Sequence, residues 1–449
     1  MAATEKQLFN GGATSALYTD RRNFYIEPQT VHELWTDVAP FTTMISSMGS
    51  RSTNDPLFKM FEHRNPWINQ KFDNAAETVT IAANGTESAA LNIDGITGLS
   101  STVDDSWLGL ECEIWNAAET AKKAVVLISS IVDADEIKVK ALWTTGGGDY
   151  TLVDDDVYRV IGSAHGEGTT APEAWSDELQ VVWNSTQIFK TPLQITGTLL
   201  QAALRGESSE LERLRLQKNQ EHKIQKERAF LFGTRVGGTN LGDARAGETD
   251  MTAGETFGDS GRTDSAGNLI RSTYGIVSAI EDYGVSSATA DNQNVFTVDS
   301  AYAYGNFVDD MEKVFQYVPT SGVKRAFVGA GALGYWSKMS AASNMAGNSG
   351  WTVNLGDMKR DALGFNYRVL ETPHGMLQLI PTPALRGPYN KYMLCVDDSN
   401  LFHAQYRAPM YQTNIKTDNA FDAVKDQYFS DEGIGISLID SHSLFKITA

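Results

Sequence analysis

The sequence predicts an α+β fold that is interrupted by a small all-β domain. Three observations predict it: short alternating strands in the first half, one long charged helix in the middle, and alternating helices and strands in the second half. Apolar residues that recur at period two indicate strands, and a period of about 3.6 indicates helices. With 449 residues the chain is long enough for about three folding units.

The composition is that of a folded protein with an acidic excess. Hydrophobic residues make up 41% and charged residues 21% of the chain, which is ordinary globular usage. Asp and Glu number 56 against 37 Lys and Arg, for a formal net charge of −19. A protein that grips DNA by its phosphates carries a basic excess, so this charge disfavours a dedicated DNA-binding protein. It suits a surface that faces DNA without adhering to it.

The two cysteines and the lack of long apolar runs disfavour disulfide-rich, cysteine-zinc and membrane-spanning proteins. Cys112 and Cys395 lie in apolar alternating runs, so we expect two small buried side chains and neither a disulfide framework nor a cysteine-rich zinc site. No run of about 18 apolar residues occurs in the sequence. The first residues, MAATEKQLFN, lack the features of a signal peptide, so we expect synthesis in the cytoplasm.

The first element is a polar N-terminal arm at residues 1–56. It carries isolated hydrophobic residues and shows no helical periodicity. Such a stretch cannot bury enough apolar surface by itself, so we expect an extended arm that is ordered by a neighbour, such as another copy of the chain.

Short strands follow and define the all-β domain. Apolar and polar residues alternate from about 103 to 162, with turn clusters such as DAD, TTGGGDY and VDDD between the runs. This pattern is typical of a small antiparallel sandwich or barrel. We expect one side of each strand to be buried, with these residues inward: Leu110, Cys112, Ile114, Ile137, Val139, Ala141 and Trp143.

The clearest helix runs from about Ser209 to Phe232. Ser209 and Glu212 form a capping box at its start, and Gly233 marks its end. Charged residues occupy nearly every face, which is typical of a helix that crosses solvent or lies on a thin sheet. The alternative is the solvated face of an ordinary amphipathic helix.

A Gly-, Asp- and Thr-rich loop at 237–268 precedes the second half, and loops of that length are usually functional or flexible. Beyond it the pattern predicts helices near 301–317 and 331–342, with strands at KRAFV, YRVLETPHGMLQLIPTP, KYMLCVDD and NLFHAQY. The last stretch, DQYFSDEGIGISLIDSHSLFKIT, predicts one or two closing strands.

One motif suggests an enzyme. Gly329 to Gly334 match G-x-G-x-x-G between a strand and a helix, and Asp357 lies where a dinucleotide-binding fold places its ribose acid. This motif supports a nucleotide-dependent oxidoreductase as an alternative function. Because Tyr335 and Trp336 follow at once and no series of βα units surrounds the motif, it favours a helix start at which small residues permit close packing.

Other motifs are incomplete. GDSG at 258–261 and His165 resemble segments of trypsin-like proteases, but the long charged helix at 209–232 separates them in the sequence. His32 begins an HExxH in which Thr36 replaces the second zinc ligand. Asp133 to Glu136 begin like a calcium loop that lacks its glycine and bidentate glutamate. We therefore predict no catalytic residue, no cofactor and no metal site.

In the order of its parts and in several short sequence motifs, the chain resembles the major capsid proteins of tailed bacteriophages with the Johnson fold, also called the Hong Kong 97 type. Pro40-Phe41-Thr42-Thr43 with Gly49-Ser50-Arg51 is similar to the opening of one subgroup of these proteins. The segment 184–189 with 195–198 is similar to that subgroup's approach to its spine helix, and Leu394 to Asp397 with Arg407 to its C-terminal half.

The resemblance implies a division of the chain into the parts of that fold. An inserted domain between the two E-loop arms departs from the minimal fold. Some relatives form a covalent Lys–Asn bond, but no such residue set stands out here, so we expect none. The implied parts are an N-terminal arm at 1–56, E-loop arms at 57–83 and 177–200, the inserted β domain at 84–176, a peripheral domain at 201–299 and 411–449 with its spine helix at 208–233, and an axial domain at 300–410.

The resemblance also implies a function. The chain would be the major capsid protein of a tailed-phage virion, forming hexamers and pentamers of an icosahedral shell around double-stranded DNA, with no membrane contact. A separate scaffolding protein, a portal protein and a decoration protein are the expected partners. The charged spine helix would meet neighbouring subunits through the candidate contacts Arg213, Arg215, Glu221 and Glu227. A further alternative is a phage tail or adhesin component whose β domain binds receptor carbohydrate.

Overall fold

The structure is a computed structural model. It describes residues 39–63, 70–75, 78–97, 99, 103–170, 174, 179–201, 209–234, 264–268, 270–287, 292–317, 322–345, 355–360, 366–415 and 422–448. The predicted arm up to residue 38, the HE motif at 32–33 and the GDSG motif at 258–261 lie outside these residues.

Helices and strands are mixed throughout the described residues, as the sequence predicts. The α-helices are α1 (Pro40–Ser47), α2 (Gly197–Gln201), α3 (Glu210–Phe232), α4 (Ile276–Tyr283), α5 (Tyr304–Val314) and α6 (Ala330–Met345). The strands are β1 (Ser50–Ser52), β2 (Leu57–Glu62), β3 (Lys71–Asn74), β4 (Thr80–Ile81), β5 (Leu91–Thr97), β6 (Leu110–Trp115), β7 (Lys122–Asp133), β8 (Glu136–Thr144), β9 (Tyr150–Thr151), β10 (Val157–Ser163), β11 (Gln180–Ser185), β12 (Gln187–Thr196), β13 (Val295–Val298), β14 (Val323–Val328), β15 (Leu355–Arg360), β16 (Asn366–Glu371), β17 (Met376–Pro381), β18 (Tyr392–Val396), β19 (Leu401–Gln412), β20 (Ala423–Ile436) and β21 (Ser443–Ile447). No helix in these ranges has the length and apolar character needed to cross a membrane.

The chain divides into two units. The main unit is Met1–Met60 with Val181–Ala449, and the barrel unit is Phe61–Gln180. In the barrel unit, six strands close in the order β10-β3-β5-β8-β7-β6. Its interior is filled by apolar and aromatic side chains, among them Phe72 stacked on Tyr158 with ring centroids 4.7 Å apart. The interior is therefore a packed core.

The barrel starts earlier than the sequence suggests. The predicted domain began at residue 84, but β3 pairs with β10 on one side and β5 on the other, so Lys71–Asn74 are barrel residues. Part of the segment 57–83, expected to be an E-loop arm, belongs to the barrel instead. Strand β3 has only four residues, too few to show a period of two.

One predicted core residue of the barrel is wrong. Cys112, Ile114, Ile137, Val139 and Ala141 are buried as expected, but Trp143 is 48% exposed. Between β7 and β8 the register shifts, because Val126 opposes Ala141 whereas Val125 opposes Trp143. This bulge adds one residue to β8 and turns the tryptophan outward, where the Lys122 ammonium lies 5.7 Å from its ring.

Two sheets organise the main unit. One has four strands in the order β1-β19-β20-β12, and the other has seven in the order β13-β21-β18-β14-β17-β16-β15. The predicted strands of the second half and both closing strands are confirmed. Strand β14 runs parallel to β17, and α6, β15 and β16 lie between them along the chain. Helices α5 and α6 supply core residues such as Phe307 and Trp336.

The N-terminal prediction is only partly right. Residues 40–47, expected to be extended, form α1, and Phe41, Met44 and Ile45 are fully buried in the main core. The described end of the arm is therefore ordered by its own chain.

Helix α3 is confirmed at both ends. The Ser209 hydroxyl accepts a hydrogen bond from the Glu212 N–H at 3.4 Å, and the Gly233 N–H donates to the Ala229 carbonyl at 2.8 Å. The last turn buries Phe230 and Leu231, whereas Leu216 in the N-terminal third is 67% exposed. The helix thus has an apolar anchor only at its C-terminal end.

Candidate assembly surface

Helix α3 lies on the four-stranded sheet through polar side chains. Strand β20 contributes three acidic residues that are completely buried: Asp426, Asp431 and Glu432. Isolated buried carboxylates are strongly destabilising, so each must be paired with a cation or saturated with hydrogen bonds.

Each of these carboxylates has a basic partner. Asp426 pairs with Arg215 of α3 at 2.9 Å and accepts hydrogen bonds from the Tyr411 hydroxyl and the Asn414 N–H. Glu432 lies 3.2 Å from the Lys226 ammonium and 3.4 Å from the His403 ring.

The third acid lies beside two guanidinium groups. Asp431 is 3.1 Å from Arg271 and 3.1 Å from Arg407. Arg407 also lies over the Phe429 ring, 4.4 Å from its centroid. Strand β20 is therefore joined by charged contacts to α3, to β19 and to the segment before α4.

These contacts keep Asp426 and Glu432 ionised. Burial tends to raise the pKa of Asp426, but hydrogen bonds from Tyr411 and Asn414 and the Arg215 pair outweigh it and lower that pKa. At Glu432, burial likewise tends to raise the pKa, but the contacts with His403 and Lys226 outweigh it. The pKa of that carboxyl is therefore also lowered.

A neutral histidine completes the interface between α3 and the sheet. His222 Nδ1 is 3.0 Å from the Thr191 hydroxyl of β12, and its Nε2 is 3.1 Å from the Ser430 hydroxyl of β20. Burial, assisted by the nearby Lys226 charge, lowers the pKa of His222 to about 4. The ring therefore exchanges hydrogen bonds with two hydroxyl groups as an uncharged group at neutral pH.

The four predicted contact residues have different environments. Arg213 pairs with Glu210 at 2.5 Å, and Glu221 pairs with Lys218 at 2.7 Å. Both pairs lie within the helix, and the two side chains of each pair are partly exposed. Arg215 is one-third exposed, with its guanidinium held by Asp426.

Glu227 is a correction. Its side chain is 1% exposed, and it accepts hydrogen bonds from the backbone N–H groups of Phe41 at 3.1 Å and Thr42 at 2.6 Å. The Thr42 hydroxyl donates a third, at 2.7 Å. The carboxylate is therefore enclosed by its own chain in the single subunit.

Sequence reasoning missed the buried acids of β20. Charged residues are almost never fully buried unless they are paired, so the run DQYFSDEG suggests exposed positions. The available signal was the short GIGI run at 433–436, which has no polar side chain on either face and so indicates a strand with both faces covered.

The glycine motif is filled by the chain itself. The Gly331 N–H donates to the Asn390 side-chain oxygen at 3.0 Å, and a Cβ at Gly331 would lie 2.8 Å from the Asn390 amide nitrogen. Asn390 therefore occupies the first turn of α6, where a phosphate would bind. Asp357 lies in β15, with its side chain outside the description.

Two further motif residues lie within the described part of the chain, and each has a structural contact there. His165 packs against Gly109, a glycine with φ of +83°, and Asp133 bonds the Ala134 N–H in the β7–β8 turn at 2.8 Å. Within the described ranges no group of three or more His, Cys, Asp or Glu side chains could hold a metal ion. Cys112 and Cys395 are buried free thiols, and burial raises the pKa of Cys395 to about 12.

The chain is similar to solved capsid structures at low sequence identity. It is similar to the capsid of a native GTA particle at 9% identity, covering 98% of this chain and 99% of that one with a TM-score of 0.42. It is also similar to the capsid of cyanophage P-SCSP1u (7% identity, 64% and 80% covered, TM-score 0.36) and to a structure of Mycobacterium phage Patience (12%, 64% and 78%, 0.35). No curated protein matches it.

The family comparison covers most of the sequence. The family described as SU10 major capsid protein matches residues 29–434, which span both units. Its members are structural capsid proteins, which the sequence prediction of a non-enzymatic phage capsid protein anticipated. The chain belongs to the SU10 major capsid protein family and is a major capsid protein of phage-like capsids.

Proposed function

We propose that this capsid protein assembles with itself into hexamers and pentamers of an icosahedral shell that encloses double-stranded DNA. The family match over residues 29–434 carries the proposal. The net charge of −19 supports it, because an acidic shell contains DNA without non-specific adhesion to its phosphates. A nucleotide-dependent oxidoreductase and a tail or adhesin component are disfavoured by the same match.

The parts of the Johnson fold are assigned on the same basis. Helix α3 on the four-stranded sheet would be the spine helix of the peripheral domain, and residues 300–410, with five strands of the seven-stranded sheet (β14 to β18), would be the axial domain. Strands β2 and β11 pair with each other on either side of the barrel unit along the chain. This pairing supports an extended E-loop whose two arms run together.

Contacts between subunits would use the accessible charges of α3. Arg213 and Glu221 are partly exposed and pair with Glu210 and Lys218 of their own helix, and exposed pairs of this kind can be exchanged for charges on a neighbour. Exposed pairs contribute about 0 to 1 kcal/mol each, so many copies are needed for such contacts to matter. A scaffolding protein, a portal protein and a decoration protein remain the proposed partners.

Electron microscopy of the purified chain in negative stain tests the proposal. We expect capsomers or closed shells, with sedimentation far faster than that of a monomer. Only monomers at high protein concentration, with or without a scaffolding protein, would contradict it.

A further inference from the structure

The β7–β8 hairpin carries opposite charges at its two ends. At the turn, Asp133 and Asp135 are exposed and Glu136 is partly exposed. At the open end, β7 begins with Lys122 and Lys123. Strand β7 has 12 residues, so at about 3.4 Å per residue its two ends lie roughly 37 Å apart along the strand. The hairpin is therefore acidic at its turn and basic where it opens.

The acidic turn is held in place by the rest of the barrel. The Ile93 N–H donates to the Asp135 carbonyl at 2.9 Å, and the Val103 N–H donates to the Ala134 carbonyl at 2.8 Å. An exposed aspartate follows each of these two donors in the sequence. A surface whose backbone is already fixed loses little conformational entropy when it binds. This end of the barrel thus presents five carboxyl groups on a fixed backbone, those of Asp94, Asp104, Asp133, Asp135 and Glu136.

The open end of the hairpin combines cations with exposed apolar side chains. The Lys122 ammonium pairs with Glu113 at 2.5 Å and lies 5.7 Å from the centroid of the Trp143 ring. Lys123 is partly exposed, and within the described ranges it forms no ion pair. Trp143 and Leu142 are 48% and 54% exposed. An exposed tryptophan beside polar groups is typical of protein–protein contacts, in which tryptophan supplies much of the binding energy.

The charge of the barrel unit restricts which partner it accepts. Residues 61–180 carry 21 Asp and Glu against 7 Lys and Arg, a formal net charge of −14 out of −19 for the whole chain. Two such units repel each other unless cations of one meet carboxylates of the other. The apolar side chains match as well, because Val132, beside the acidic turn, is 47% exposed. The acidic turn of a second copy therefore fits the open end of the hairpin.

We propose that the β7–β8 hairpin joins two copies of the chain head to tail: the acidic turn of one copy docks on Lys122, Lys123 and Trp143 of the next. Every copy offers one turn and one open end, so the contact is heterologous, and it closes into a ring when the rotation between copies allows it. The place of this contact in pentamers and hexamers rests on the proposed function. The docking itself needs only two copies.

Carbodiimide crosslinking of the unmutated full-length chain tests the docking directly, because it couples carboxyl groups only to amines that they contact. Isotope-labelled and unlabelled chains are mixed in equal amounts before assembly. We expect a crosslinked peptide pair that joins residues 122–123 to residues 133–136, and about half of these pairs should contain one labelled and one unlabelled peptide. The Lys122–Glu113 pair is the internal control, since its two residues belong to one chain and must carry the same label.

A charge exchange gives a second readout. Asp135→Lys and Lys123→Glu should each lower the particle yield about tenfold, because each change places like charges at the contact. The two changes together should restore the yield, since the exchanged charges attract each other again. Asp154→Lys is the matched control: it reverses an exposed aspartate in another turn of the barrel, and we expect no loss of yield. Thermal melting of the unassembled subunits checks that every variant folds.

The outcomes separate the docking from the proposed function. Crosslinks between 122–123 and 133–136 that always join peptides of one label would overturn the proposal, as would their absence from assembled particles. Full particle yield in Asp135→Lys would also overturn it and would leave the acidic turn to another partner, such as a basic decoration protein. If the unmutated chain forms no particles, the proposed function fails, and mixed-label crosslinks between chains in solution still decide whether two copies dock.

Discussion

Arg215 and Asp426 form an ion pair of 2.9 Å in which the carboxylate is completely buried and the guanidinium is one-third exposed. This pair connects the N-terminal third of α3 to β20. It makes a residue that the sequence assigns to intersubunit contacts part of the subunit's own fold.

Arg213 and Arg215 should therefore respond differently to removal. We expect Arg215→Ala to lower the free energy of unfolding by about 1–3 kcal/mol, because Asp426 keeps its other two donors but loses its cation. Arg213→Ala should cost about 0–1 kcal/mol, since its partner Glu210 is partly exposed. Urea denaturation of the unassembled subunits measures both, and equal losses would contradict this distinction.

His222 should make the subunit less stable in acid. Its pKa is about 4 in the folded state against an ordinary 6.5, so below pH 6.5 the unfolded chain binds a proton that the folded chain does not. The contribution of His222 to stability is therefore lost as the pH falls from 6.5 to about 4, by about 3 kcal/mol at most.

Glu227 acts in the opposite direction. Burial, partly offset by hydrogen bonds from Thr42 and Phe41, raises the pKa of this carboxyl, so the folded state binds its proton more readily in acid.

The His222 prediction is tested by measuring the free energy of unfolding at pH 7 and pH 5 for the unmutated chain and for His222→Gln. We expect a smaller loss between the two values in the variant, and identical losses would refute the assignment.

Two glycines of the G-x-G-x-x-G motif should differ in what they tolerate. A Cβ at Gly329 would collide with the backbone of Asn390, whereas one at Gly334 would meet nothing within 4 Å. Gly329→Ala should destabilise the subunit by about 1–3 kcal/mol, and Gly334→Ala should be neutral or stabilising by up to about 1 kcal/mol.

Calorimetric titration of the chain with dinucleotides should give no binding. Micromolar binding that is lost in Gly331→Trp would restore the oxidoreductase alternative.

The barrel unit should fold alone when its borders are right. Residues 61–180 expressed separately should unfold in one cooperative transition, because all six barrel strands and their core lie within them. Replacing 85–175 by a Gly/Ser linker should leave β3 and β4 without partners and give a poorly soluble chain. Circular dichroism of both proteins checks this, and an unfolded 61–180 fragment would contradict it.

Features that depend on contacts between residues close in sequence could be predicted, and features that depend on contacts between distant residues could not. Both ends of α3 could be predicted because Ser209 and Gly233 act on groups within four residues. Helix α1 could not, because its cap, Glu227, lies 185 residues from Thr42.

The errors in the barrel have the same physical origin. The exposed Trp143 depends on a register shift against β7, and the membership of Lys71–Asn74 depends on pairing with a strand more than 80 residues away. At the assembly surface, the charged character of α3 was visible in the sequence. Which of its charges turn inward depends on Asp426 and Glu432, which approach it only in the folded chain.

A symmetric reconstruction by cryo-electron microscopy of particles formed by the purified chain tests the central claim most directly. The account predicts a closed shell with fivefold and sixfold capsomers, in which α3 and both sheets of the main unit can be traced in every subunit. A chain that stays monomeric, or that forms only open aggregates without such capsomers, would contradict it.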